Sequence, residues 1–140
     1  MEVEAKFLVP DEETLTRLIA VTSLAGCDVE PGEARRDRDT FLDTGDRRLL
    51  TAGFYFRRRE TSDGVRLTLK QLVAPSEGML RREETEALVA ADVPLSEWPA
   101  GPLRERVEKL TGGDPLEPLL TLAQTRVARV VRRSGREIAE

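Results

Sequence analysis

Charged side chains recur at every second position in several stretches of this 140-residue chain. Glu2, Glu4 and Lys6 alternate with Val3, Ala5 and Phe7, while Tyr55, Arg57 and Arg59 alternate with Phe54, Phe56 and Arg58. Arg66, Thr68 and Lys70 oppose Val65, Leu67 and Leu69, and Arg82, Glu84 and Glu86 share a further face. A period of two is that of a β-strand, whose successive side chains point to opposite sides. Any one such stretch reads most simply as an amphipathic strand with a wet outer face. Together they differ from an ordinary solvated surface, because full charges of both signs take the place of Ser, Asn and Gln. Arginine grips phosphate oxygens in pairs with a planar fork, and lysine acts as a compact, movable point charge. Only Lys6, Lys70 and Lys109 are lysines among 22 basic residues, and two of these three lie on the alternating faces. Such a face suits a polyanion.

The composition narrows the alternatives. A net charge of −4 argues against a general nucleic-acid surface, so a polyanion must be met by positive charge concentrated in a site. The chain has no histidine, which excludes histidine bases, catalytic triads and the usual zinc sites. The single cysteine, Cys27, forms no internal disulfide and fits a reducing cytoplasm. The start is acidic, without the apolar core of a signal peptide, and no run approaches the ~20 apolar residues of a membrane span. Aromatics are 4% of the residues, so the core must rest on Leu, Val and Ala.

The remaining elements must position these charges. Asp11 is a helix cap followed by Glu12 and Glu13, and Leu15, Leu18 and Ile19 have helical spacing toward a core. Gly26 to Asp37 reads as loop, and Asp39 to Thr44 as a strand ending in a turn at Gly45-Asp46. Ser62-Asp63-Gly64 is a hairpin signal between the arginine strand and the lysine strand. A loop with Pro75 and Gly78 leads into one strand over Leu80 to Glu86. A second loop runs from Pro94 to Pro102, and a helix carries Leu103, Val107 and Leu110 before Gly112-Gly113. A strand from Leu119 to Val131 and a turn at Ser134-Gly135 close the chain. Glu2, Glu4, Lys6, Arg57, Arg59, Lys70, Arg82, Glu84, Glu86 and Arg126 can then all face one side of one antiparallel sheet. The two arrangements open to it are a barrel around a polar lumen and a flat sheet with helices on one side.

The same residues carry a family resemblance. Glu2-Val3-Glu4-Ala5-Lys6 resembles the ExExK signature of the CYTH family, the triphosphate tunnel metalloenzymes that include class IV adenylyl cyclases and thiamine triphosphatases. Phe41-Leu42-Asp43-Thr44 is similar to the family's YFDT-like segment, and Gly53 to Arg59 to its GxxLRxR strand, with Phe56 at the Leu position. Thr68-Leu69-Lys70 matches its TLK, and Arg82 to Glu86 its RxExE. The resemblance implies an α+β fold, an antiparallel β-barrel (tunnel) with flanking helices. It also implies Mg²⁺- or Mn²⁺-dependent hydrolysis of inorganic or organic triphosphate. It makes Glu2, Glu4, Glu84 and Glu86 metal ligands and Lys6, Arg57, Arg59, Lys70, Arg82 and Arg126 phosphate ligands, with Lys6 and Glu4 foremost in catalysis. Gln124 stands where the family often has a lysine. The region from Trp98 to Leu122 is similar to the branch in which a CYTH domain precedes a CHAD domain. The alternative reading is therefore a non-catalytic polyphosphate-binding module of such a protein.

One CYTH-like domain is expected over residues 1–140. The sequence shows about six or seven strands where such a tunnel takes eight. The expectation is a domain incomplete at its C-terminus, pairing edge to edge with a second copy through an exposed strand. A triphosphate or polyphosphate anion is the expected ligand, with no membrane and no nucleic-acid partner.

Overall fold

The arginine and lysine strands form the centre of an antiparallel sheet. The computed structural model describes residues 2–72 and 79–140, with residues 2–4 and 79–82 described by backbone alone. The loop read around Pro75 and Gly78 lies outside the described residues. In chain order the elements are β1 (Glu2–Ala5), α1 (Glu12–Ala20), β2 (Ser23–Leu24), β3 (Cys27–Val29), β4 (Ala34–Asp43), α2 (Arg48–Thr51), β5 (Phe54–Thr61) and β6 (Gly64–Gln71). Then follow β7 (Met79–Arg82), β8 (Glu84–Val89), a 3₁₀ turn (Leu95–Glu97), α3 (Pro102–Thr111), β9 (Glu117–Val127), β10 (Val131–Arg133) and β11 (Arg136–Ala139). Few helices and mostly antiparallel strands make this an α+β fold, as the sequence implies. The strands form a five-stranded sheet in the order β8-β6-β5-β4-β9, a four-stranded sheet β11-β10-β3-β2, and a β1-β7 pair.

Contacts divide the chain into two compact units, Met1–Lys6 with Asp37–Ala123, and Phe7–Arg36 with Gln124–Glu140. In the first unit, β5 and β6 pair over their full lengths from Phe54↔Gln71 to Thr61↔Gly64. Ser62 and Asp63 are the two loop residues of the expected hairpin, and Gly64 at φ 133° takes a conformation that side chains disfavour. One sheet face is apolar: Leu42, Phe56, Val65, Leu67, Leu69 and Val89 pack with Leu49 of α2, Trp98, and Leu103 and Val107 of α3. Phe56 and Trp98 stack with ring centroids 5.1 Å apart. Fully burying each such side chain is worth about 1.5–3 kcal/mol, so this layer fixes which face of the sheet turns inward. Gly112 at φ 68° ends α3, as its position after the apolar run predicts.

In the second unit, Asp11 caps α1 by accepting a hydrogen bond from the Thr14 backbone N–H at 2.7 Å. Arg129 fastens that helix to its neighbours, donating to the carbonyls of Leu18 and Glu30, both at 2.9 Å, and of Val21.

Four expectations change. The stretch Gly26–Asp37 holds β3 and the start of β4, so β4 begins five residues before Asp39. The Leu80–Glu86 strand divides at Glu83, because β7 pairs with β1 whereas β8 pairs with β6. The described residues hold eleven strands, more than periodicity alone marks, since strands of two to four residues carry too few alternations to register. Leu15, Leu18 and Ile19 do not reach a core: they are 45%, 49% and 45% exposed, and the short strands of their own unit offer little apolar area to cover them.

Asp43 anchors the turn after β4, accepting from the backbone N–H groups of Thr44 (2.8 Å), Leu49 (2.9 Å) and Leu50 (3.0 Å). It is buried, so Asp43→Ala leaves three donors short of a partner. The expected cost is about 2 kcal/mol of unfolding free energy, read by urea denaturation, while Asp46→Ala at the exposed side of the turn costs less.

Candidate functional site

Register places the charges of four strands on the other face of the five-stranded sheet. Phe41, Arg57, Thr68 and Glu86 form one row across β4, β5, β6 and β8. Asp39, Arg59 and Arg66 form the next, and Tyr55, Lys70 and Glu84 a third. Opposed residues on neighbouring strands stand about 5 Å apart at Cβ, so the rows bring cations and carboxylates into direct contact. The alternation in β5 and β6 runs as the sequence predicts.

Arg59 is the most enclosed cation. Its Nε donates to Asp39 Oδ1 at 2.6 Å and its Nη2 to Asp39 Oδ2 at 2.7 Å, a two-pronged pair. Its Nη1 lies 3.0 Å from Asp37 Oδ2. Arg59, Asp39 and Asp37 are all buried. The hydrogen bond to Asp39, and then the charges of Asp39 and Asp37, hold the guanidinium pKa above its ordinary value despite burial. Lys70 Nζ, also buried, lies 2.7 Å from Glu84 Oε2.

Arg57 is held more loosely. Its Nη2 donates to Thr68 Oγ1 at 3.4 Å and its Nη1 lies 3.8 Å from Asp39 Oδ2. The Arg57 Nε is buried and has no hydrogen-bond partner among the described residues. Thr68 is fully buried and donates in turn to Glu86 Oε1 at 3.0 Å, while Arg66 reaches Glu86 Oε2 at 3.2 Å. Burial alone would raise the Glu86 carboxyl, but hydrogen bonding with Glu84, Thr68 and Arg66 outweighs it and holds the pKa below the usual carboxylate range. Glu86 is therefore ionised at neutral pH.

Of the residues the sequence singles out, Arg57, Arg59, Lys70, Glu84 and Glu86 are together on this face. Glu2 and Arg82 pair across β1 and β7, in a sheet separate from the five-stranded one, and Glu4 opposes Leu80 there. The side chains of Glu2, Glu4 and Arg82 lie outside the described residues. Lys6 follows β1 and is exposed. Arg126 is exposed on β9, within the second unit. Among the described residues the ten charges therefore do not share one hydrogen-bonded sheet. Asp37, Asp39 and Thr68 are the site residues sequence reasoning misses. Their signal was there: Asp37, Asp39 and Phe41 alternate just as Arg57 and Arg59 do.

Glu84 and Glu86 are the described residues suited to a divalent cation. Among the described residues no three acidic or sulfur side chains gather into a ready-made cage. A hard ion of the Mg²⁺ type needs no such cage, since one or two carboxylates often hold it, with phosphates and waters filling the other positions. Two hydrogen-bonded carboxylates on one strand face, one of them held ionised, fit that requirement.

Comparisons with known proteins show the family. The CYTH domain model matches residues 1–138, and the chain belongs to the CYTH family. That family is one of triphosphate-binding tunnel proteins that use divalent metals, and it includes triphosphatases and adenylyl cyclases. Among solved structures, a candidate adenylate cyclase from Bacillus halodurans is similar in fold, with a TM-score of 0.54 at 19% identity. The match covers 97% of this chain and 74% of that one. No curated protein matches the chain. No helix among the described residues is long and apolar enough to cross a membrane.

The ion cluster changes what Arg59 does for stability. If its partners were only like charges, its loss would matter little to folding. Its partners are two buried carboxylates, and removing one side of such a pair costs about 3–5 kcal/mol. Arg59→Ala is expected to lose that much in chemical denaturation without ligand, and exposed Arg126→Ala about 0.5 kcal/mol or less.

Proposed function

We propose that this domain binds a triphosphate on the charged face of the five-stranded sheet and hydrolyses it with a divalent metal ion. The observation that carries the reading is the row in which half-buried Arg57, buried Thr68 and exposed Glu86 stand directly opposite one another beside the Lys70–Glu84 pair. A triphosphate carries about four to five negative charges, and phosphoryl transfer asks for positioning and charge stabilisation more than covalent chemistry. Arg57 and Lys70 supply the cations. Arg57 offers the planar fork, and Lys70, within reach of Glu84, offers a point charge that can turn toward an oxygen. Glu84 and Glu86 would hold Mg²⁺ or Mn²⁺, joined by Glu2 and Glu4 of the ExExK strand. Such an ion would supply charge neutralisation for the phosphates and would make water a better nucleophile. The protein's own task is to hold these carboxylates in place and the phosphates fixed while water adds to the terminal phosphorus and the bridging P–O bond breaks.

Inorganic triphosphate with Mg²⁺ or Mn²⁺ is the direct assay, read as phosphate release by the wild-type chain, Glu86→Gln and Glu4→Gln. The expected outcome is turnover by wild type and about a hundredfold loss or more in each variant. Tight binding without phosphate release from any triphosphate would contradict hydrolysis and favour a polyphosphate-binding module, such as one serving an attached CHAD domain. Diphosphate release from ATP with a cyclic product would replace hydrolysis by cyclisation.

A further inference from the structure

Arg58 is the arginine of the β5 run that the charged face leaves out. It stands on the apolar side of the sheet, opposite Thr40 on β4 and Leu67 on β6. A cavity of about 320 Å³ lies on that side. Buried Phe56, Leu67 and Trp98 and half-buried Leu116 line it, and Arg58 and Asp92 are the two charged residues of its lining. A wider, open trough of about 870 Å³ beside α3 shares Pro94, Leu95 and Pro115 with it, which gives the cavity an approach from solvent. Ligand sites are typically concave and mostly apolar, with a few placed polar groups that fix orientation. The Trp98 Nε1–H is not such a group, because it donates to the Val93 carbonyl at 3.0 Å. The Arg58 guanidinium is.

Its Nη1 donates to Asp92 Oδ2, a pair in which the Arg58 side chain is 20% exposed and that of Asp92 60%. An ion pair with one well-solvated partner contributes little, so another carboxylate can replace Asp92, or share the other arms of the fork, at small cost. One cation beside one aspartate suits a single negative charge and repels a multiply charged anion. The volume corresponds to about ten non-hydrogen atoms, at the ~30 Å³ that each molecule takes in liquid water. We propose that this cavity binds a small monocarboxylic acid with an apolar body of about eight carbons. Its carboxylate pairs with Arg58, its chain lies against Phe56, Trp98 and Leu116, and Asp92 is the competing anion that holds Arg58 otherwise. The site is on the side of the sheet away from the charged face, and the proposal does not rest on the triphosphate reading.

The chain carries its own reporter, since Trp98 is its single tryptophan and stacks on Phe56 in the cavity lining. The test titrates octanoate, below the concentration at which it forms micelles, into the full chain, with Trp98 emission and calorimetry as readouts. Saturable binding is expected, with 1-octanol and octylamine each about tenfold weaker or more. Arg58→Gln is expected to weaken octanoate about tenfold and to leave 1-octanol unchanged. Asp92→Asn removes the competing anion and is expected to strengthen octanoate severalfold. Thermal unfolding checks the fold of both variants, and Asp92→Asn, at an exposed side chain, decides the matter should Arg58→Gln not fold. Octanol or octylamine binding as tightly as octanoate, indifference to both substitutions, or no saturable binding would overturn the proposal. So would Trp98 emission that shifts with protein concentration alone while sedimentation shows dimers, which would give the cavity to a second copy of the chain.

Discussion

A guanidinium enclosed between two carboxylates is the constraint on which the charged side of the sheet depends. Arg59, Asp39 and Asp37 are buried together. Taking isolated charges out of water costs several kcal/mol each, and their attraction offsets this only when geometry is close and the remaining donors are met. The two-pronged approach to Asp39 at 2.6 and 2.7 Å provides that geometry. A buried ion cluster of this kind is poor evidence of extra stability, since well-packed apolar groups can serve as well. Its consequence here is placement. Because Asp39 opposes Arg59 in register, β4 cannot slip by one residue against β5 without turning Asp39 to the apolar side and leaving Arg59 without it.

The two faces of the sheet therefore specify each other. On one, Phe56, Leu67 and Leu69 exclude water with Trp98 and α3. On the other, Arg57, Thr68, Lys70 and Glu84 form contacts in a partly desolvated setting, where each hydrogen bond counts for more than in water, and Glu86 extends the row toward solvent. The apolar layer gives the site a stiff backing, and side chains carried by paired strands are held in place more firmly than side chains on loops. A surface so arranged meets a polyanion with little rearrangement, the condition under which electrostatic stabilisation is most effective.

Much of this is legible in the amino-acid sequence, for identifiable reasons. β5 and β6 alternate over eight residues each and are joined by Ser62-Asp63, so their pairing and their charged face follow from periodicity and turn chemistry. α3 follows from Leu103, Val107 and Gly112. β3 and the start of β4 are not legible, because Gly26, Pro31 and Gly32 imitate a loop. Glu83 does not announce that Arg82 and Glu84 belong to different strands, since the choice of partner strand is a tertiary matter. The role of Asp39 was hidden for another reason. Sequence gives the sign of a charge and the face it takes, and only register shows that an aspartate on β4 stands opposite an arginine on β5. A motif that groups Arg57 with Arg59 thus conceals that one of them is already matched.

The most direct test is a crystal structure of this chain with inorganic triphosphate bound. The account predicts phosphate oxygens on the charged face of the five-stranded sheet, within hydrogen-bond distance of Arg57 and of the Lys70 Nζ. A structure in which the triphosphate lies away from that face, with neither Arg57 nor Lys70 in contact with it, would contradict it.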